Sequence, residues 1–295
     1  MVLLTFALLA LSISSVWIKA SHPSKDSVPL WLWIFFASLG CGMIAGVVNW
    51  LGAIVLLALA GMAYLSGMQY RYPLKVLLML CSMTLALALA LHLIPGFNNP
   101  LVAHRIKFSA DTTPYTLYAN FDKGAAGLIL LACFSSRIES LSTFNRLIKP
   151  IILGILCTII AVFGTALAIE CVHLDLKLPS LTIPFLVINL FLVCVAEEAF
   201  FRGVIQEQLM VLLEKYRYMK PVATLASVLL FGIAHMAGGT KLMMLSTLAG
   251  VGYALTYTYT RKIEASIAVH FLTNLTHFML FSYPALATCS TPTSL

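Results

Sequence analysis

Three ionisable side chains stand together at the end of an apolar run: Glu197, Glu198 and Arg202 follow nineteen uncharged residues, Leu178 to Ala196. A charge at bilayer depth costs at least about 2.5–3.5 kcal/mol on insertion scales, so such groups are seldom idle. In a helix Glu198 and Arg202 lie four residues apart on one face and can neutralise each other. Glu197 lies about 100° round the helix and faces something else. Later uncharged runs carry His235, His270 and Asn274. His270 and Asn274 share a helix face, and His277 follows on it. A carboxylate with a neutral imidazole can hold and deprotonate a water. A second imidazole with an amide can donate to an oxyanion. Together these are the parts of a peptidase: Glu197 and His235 on the water, His270 and Asn274 on the tetrahedral intermediate. Such chemistry needs no Ser, Cys or Thr nucleophile and no cofactor. No HExxH occurs, yet Glu197, His235 and His270 are also a set that a divalent metal such as zinc accepts.

These residues must be carried by helices in a membrane. The chain has 295 residues, 61% hydrophobic and 10% charged, against about 25% charged in a soluble domain. The expected fold is all-α, a polytopic transmembrane helical bundle of about ten spans. They fall near 2–18, 30–48, 51–67, 76–95, 124–136, 150–169, 181–213, 221–239, 242–260 and 264–283. The split near Asn49-Trp50 divides an uncharged stretch about twice the ~20 residues one span needs. The 124–136 run is short, and charge parity makes it cross. Counted this way, twelve of the eighteen Lys and Arg collect on one side, five on the other, and Arg202 sits in the membrane. The positive-inside rule makes the richer side cytoplasmic and puts both termini away from it. At 1.5 Å per residue, Glu197, His235, His270 and Asn274 lie roughly 12–24 Å from the nearest basic cluster or helix end, deep enough to converge on one buried pocket.

The organisation expected is an N-terminal set of helices over 1–149, a catalytic membrane core over 150–284, and a short tail over 285–295. Within the first, residues 96–123 form the longest polar connection, an ordinary loop or a substrate-facing lid on the extracytoplasmic side. His22, His92, His104 and His173 lie in connections or near helix ends and read as interfacial residues. The seven cysteines, without a CxxC, read as small buried hydrophobes rather than a disulfide framework. The net charge of +7 comes from basic residues in short loops and gives no reason to expect nucleic acid.

Glu197-Glu198-x-x-x-Arg202, then Phe231-x-x-x-His235, then His270-x-x-x-Asn274 resembles the three-part signature of the CPBP family. These are CAAX-prenyl-endopeptidase-like intramembrane proteases, also linked to bacteriocin processing. Gly250-Val251-Gly252-Tyr253-Ala254 through Ser266-Ile267-Ala268 resembles the family's approach to its last motif. The resemblance covers about 150–283. It implies a helical intramembrane endopeptidase of glutamate type, with Glu197 and His235 activating water and His270 and Asn274 holding the oxyanion. Glu198 and Arg202 would be the supporting pair.

The expected partner is a membrane-associated protein or peptide within the lipid bilayer. The short-loop, basic architecture points to a bacterial inner membrane. Two other classes keep the same residues: a proton-coupled transporter, in which Glu197 and the histidines carry an ion, and a non-catalytic immunity or interaction protein.

Overall fold

A computed structural model describes residues 1–18, 28–68, 72–216 and 220–289. His22 and the basic residues Lys19, Lys25, Arg71 and Arg217 lie outside the described residues, as does the end of the tail, 290–295. Among the described residues ten helical runs carry the fold, one on each expected span. They are α1 Val2–Ser15, α2 Leu30–Ile44, α3 Trp50–Ser66, α4 Tyr72–Ala90, α5 Phe121–Phe134, α6 Leu141–Ala168, α7 Thr182–Leu212, α8 Lys220–Ala234, α9 Thr240–Thr260 and α10 Ile263–Leu280. By length and composition α4, α6 and α7 are long and apolar enough to cross a membrane, while α1, α2, α3 and α8 are shorter apolar helices. The protein is an all-α membrane-type bundle.

Two compact units divide the chain, and α7 contributes to both. The first takes residues 1–101, 118–135 and 190–200. Here α1 pairs with α2 and α3 with α4, and α5 lies among α1, α3 and α4. Asn49 ends the extended turn before α3 and caps it, its Oδ1 accepting from the Gly52 amide at 3.1 Å. The helix α5 is buried from Phe121 to Leu131 except at Lys123, which is half-buried. Its glycines let it lie against the 190–200 segment of α7. A Cβ on Gly127 would stand 2.5 Å from Ala196 Cα, and one on Gly124 the same distance from Leu192 Cδ2. Helix backbones approach this closely only at small residues.

The second unit takes residues 102–117, 136–189 and 201–295. Its core packs α6 against α9 and α10, α8 against α9, and α9 against α10. At one end the 136–139 connection meets the start of α10. The Ile263 amide donates to Ser136 O at 3.0 Å, Lys262 Nζ to Arg137 O at 2.8 Å, and the Ile138 amide to Glu264 Oε1 at 2.6 Å. At the other end three segments knit into a cap. Residues 111–113 bond to 285–287, and 171–177 bond to 279–286. The cap is closed by a disulfide between Cys171 and Cys289.

Four features depart from the sequence reading. The 96–123 connection is not a plain loop: it contains a two-stranded hairpin, β1 Leu101–Ile106 and β2 Tyr115–Tyr118, within the helical bundle. Asp122 and Lys123 belong to α5 rather than to that connection. The helix α6 begins nine residues before 150, because Ser140 Oγ accepts from the Thr143 amide and caps it there, and Arg146 and Lys149 ride on the first turns. Cys171 and Cys289 form a covalent bridge instead of filling apolar space.

Candidate active site

The helix α7 supplies the carboxylates and the arginine. Its Val195–Glu198 turn is α-helical and lies between two π-helical stretches, Ile188–Cys194 and Ala199–Gln206. Wider π turns are rare in regular helices and recur at functional sites. Glu198 and Arg202, expected as a supporting pair, are both fully buried.

In the first unit Glu197 is ion-paired. Lys123 Nζ donates to Glu197 Oε1 at 2.7 Å, and the side chains keep only 18% and 14% of their exposure. Lys123 is set by a polar network at the start of α5. The buried Asp122 accepts from Asn99 Nδ2 at 2.9 Å and from the Lys123 amide at 2.9 Å, and its other oxygen meets His92 Nδ1 at 2.7 Å. Asn99 Oδ1 in turn accepts from the Phe121 amide at 2.8 Å. These bonds occupy N–H groups that a helix start leaves open.

In the second unit Arg202, His235 and His270 surround one aromatic ring. The Arg202 guanidinium stands 4.9 Å from the Phe231 centroid, within cation–π range. His235 lies 4.7 Å from that ring and His270 lies 5.7 Å away, edge-on at 86°. Tyr253 completes the cluster: it stacks on His270 at 4.5 Å and 17° and meets Phe231 at 5.7 Å. Arg202 also donates to Ser227 Oγ at 3.3 Å and to Gly250 O at 3.2 Å.

His235 does not lie inside a helix, as its uncharged run implied. It follows the last residue of α8 and opens the short 3-10 turn Met236–Gly238. Its Nδ1 lies 2.8 Å from the Phe231 carbonyl oxygen. A carbonyl only accepts, so Nδ1 carries a proton, and in the neutral ring Nε2 is then the acceptor. That is the tautomer a water-binding base requires. Asn274, one turn beyond the buried His270, donates through Nδ2 to Asn189 Oδ1 at 3.3 Å. His277 has a different setting, an aromatic one: Phe163 at 5.5 Å and Tyr283 at 4.9 Å.

Lys123, Asn189, Tyr253 and Ser227 were not singled out as partners in the sequence. Asn189 was visible as a polar residue in the uncharged run, eight positions before Glu197. Lys123 was masked by the polar connection it follows. Among the described residues no group of three or more His, Cys, Asp or Glu side chains is placed to hold a metal ion.

Fold and site thus define an integral membrane protein with ionisable side chains buried in apolar helices. Residues 179–276 match the family described as Type II CAAX prenyl endopeptidase Rce1-like. That segment holds all six residues of the expected site, and the match supports the likeness to CPBP-type intramembrane proteases, a family of hydrolases. No curated protein and no solved structure matches the chain.

Proposed function

We propose that the protein is an intramembrane endopeptidase of glutamate type, acting on a membrane-associated protein or peptide. In this reading Glu197 takes a proton from a water held with His235 Nε2, and the hydroxide attacks the scissile carbonyl. His270 and Asn274 donate to the oxyanion. Arg202 and Glu198 support the helix that carries the base. The catalytic core is 150–284, and the helices before it contribute Lys123. No metal takes part.

The observation that carries the reading is the arrangement at Phe231 within the matched segment. A buried guanidinium and two imidazoles meet there, and one imidazole is held as a proton acceptor by a backbone carbonyl. Charged and polar groups in a bilayer are retained for a pathway or a reaction.

The proposed topology puts the cap outside the cytoplasm, in a bacterial cell membrane. The Cys171–Cys289 bridge supports that side, because disulfides persist in oxidising compartments.

The test is turnover of a quenched peptide library by detergent-purified protein. Wild type should cleave, and Glu197→Gln should fold normally and cleave nothing measurable. A Glu197→Gln protein that cleaves at near wild-type rate would overturn the assignment and move the reading to a transporter or an immunity protein.

A further inference from the structure

Glu197 is the proposed base, and it is held by a residue outside the matched segment. Lys123 lies 74 positions earlier, on α5, and its ammonium meets Glu197 Oε1 at 2.7 Å. Three further facts show that this pairing is built rather than incidental. The helix α5 reaches α7 through Gly124 and Gly127, so its backbone lies against Leu192 and Ala196, the residue before Glu197. Its first turn is tied down by Asp122, which is 1% exposed and bonded to Asn99, to His92 and to the Lys123 amide. Asn99 binds the Phe121 amide and so fixes the same turn from the other side.

We infer that Lys123 is a positioning residue for the reaction, holding Glu197 ionised and aimed while α5 and the Asp122 network hold Lys123. The inference rests on Glu197 being the base. A carboxylate takes a proton from water only in its charged form, and burying that form without a counter-charge is costly. An ammonium bonded to it at this distance is a strong, charge-assisted partner. Lysine suits the task because its flexible stem lets the ammonium follow the carboxylate as the proton arrives.

The experiment compares Lys123→Met, Lys123→Gln and Lys123→Arg in the full-length protein, with Glu197→Gln alongside, on one quenched membrane-peptide substrate. Lys123→Met should lower kcat on the order of 10–100-fold, as removing the group that orients a metal ligand does, with KM within about twofold. Lys123→Arg should restore most of the rate. Lys123→Gln, which can hydrogen-bond without charge, should resemble Lys123→Met, and it provides the comparison if Lys123→Met does not fold. Lys123→Met at wild-type kcat beside an inactive Glu197→Gln overturns this inference and leaves the base assignment standing. Equal impairment in Lys123→Gln and Lys123→Arg also overturns it, because then the charge is irrelevant. An active Glu197→Gln instead removes the base assignment itself.

Discussion

His235 donates its Nδ1 proton to the carbonyl oxygen of Phe231, four residues back, at 2.8 Å. The bond is possible because α8 ends at Ala234, so the imidazole folds back on the last helical turn. It turns Nε2 into an acceptor without any second side chain. It also ties the imidazole to the residue whose ring touches Arg202 and His270.

The catalytic roles predict unequal losses. His235→Ala should match Glu197→Gln, since both act on one water, with a loss of about 10²–10⁴. Asn274→Ala should lose about 10²–10³, because His270 still donates. Under the metal-free mechanism a chelator leaves the rate unchanged. Loss on chelation and recovery with zinc or cobalt would assign the hydrolysis to a metal instead.

Arg202 is predicted to matter for folding before it matters for rate. It is fully buried, as is Glu198. Breaking a buried ion pair by removing one partner costs about 3–5 kcal/mol, the range expected if the two act as the proposed supporting pair. Arg202→Ala and Glu198→Ala should both lower folded yield and melting temperature in detergent. Arg202→Lys should not rescue, because an ammonium cannot reproduce the planar group over Phe231 or its bonds to Ser227 and Gly250. Normal melting of Arg202→Ala would contradict the burial described.

The cap is predicted to be most stable in mildly acidic solution. The His173 imidazole donates to Leu174 O at 3.0 Å and meets Asp111 at 2.8 Å, in that order of effect, and both raise its pKa above 6.5. Two acceptors on one ring favour the imidazolium, so this contribution is full below about 6.5 and fades as pH rises through the raised value. Asp175 behaves oppositely. The Ser109 hydroxyl, and then Lys177 at 2.9 Å, lower its pKa below 3.8. Its contribution is full above that value and is lost as pH falls through the lowered one. Melting temperature should therefore decline on both sides of a window between about pH 4 and 6.5. Asp111→Asn should flatten the alkaline side. An unchanged alkaline slope in Asp111→Asn would rule out the His173 pair as its source.

The topology predicts opposite labelling at the two ends. Cysteines placed at Ala110 and Tyr216, in a background without the five free cysteines, should react with impermeant maleimide from opposite sides of the membrane. Reaction from one side would remove the ten-span arrangement. The native Cys171–Cys289 bridge should shift gel mobility on reduction.

Helix existence was legible because most spans are apolar runs bounded by charge, and the uncharged stretch around Asn49-Trp50 is long enough for two. The helix expected over 181–213 is observed as Thr182–Leu212. The motif residues were legible for the same reason: a histidine or carboxylate in an apolar run is conspicuous. What could not be read was pairing across distance. Lys123 sits in sequence beside a polar connection, and only the Gly124 and Gly127 contacts with α7 show why it meets Glu197. The wider π turns of α7 leave no mark in composition, and neither does the end of α8 just before His235. Cys171 and Cys289 are 118 residues apart, so nothing local announced their bond.

That bond has a further consequence. Cys171 precedes the matched segment 179–276 and Cys289 follows it, so the covalent bridge converts this stretch into a closed ring. A single cut anywhere between the two cysteines, whether by a contaminating protease or by the protein acting on itself, opens the ring without releasing a piece. The nicked chain would migrate as two fragments only after reduction.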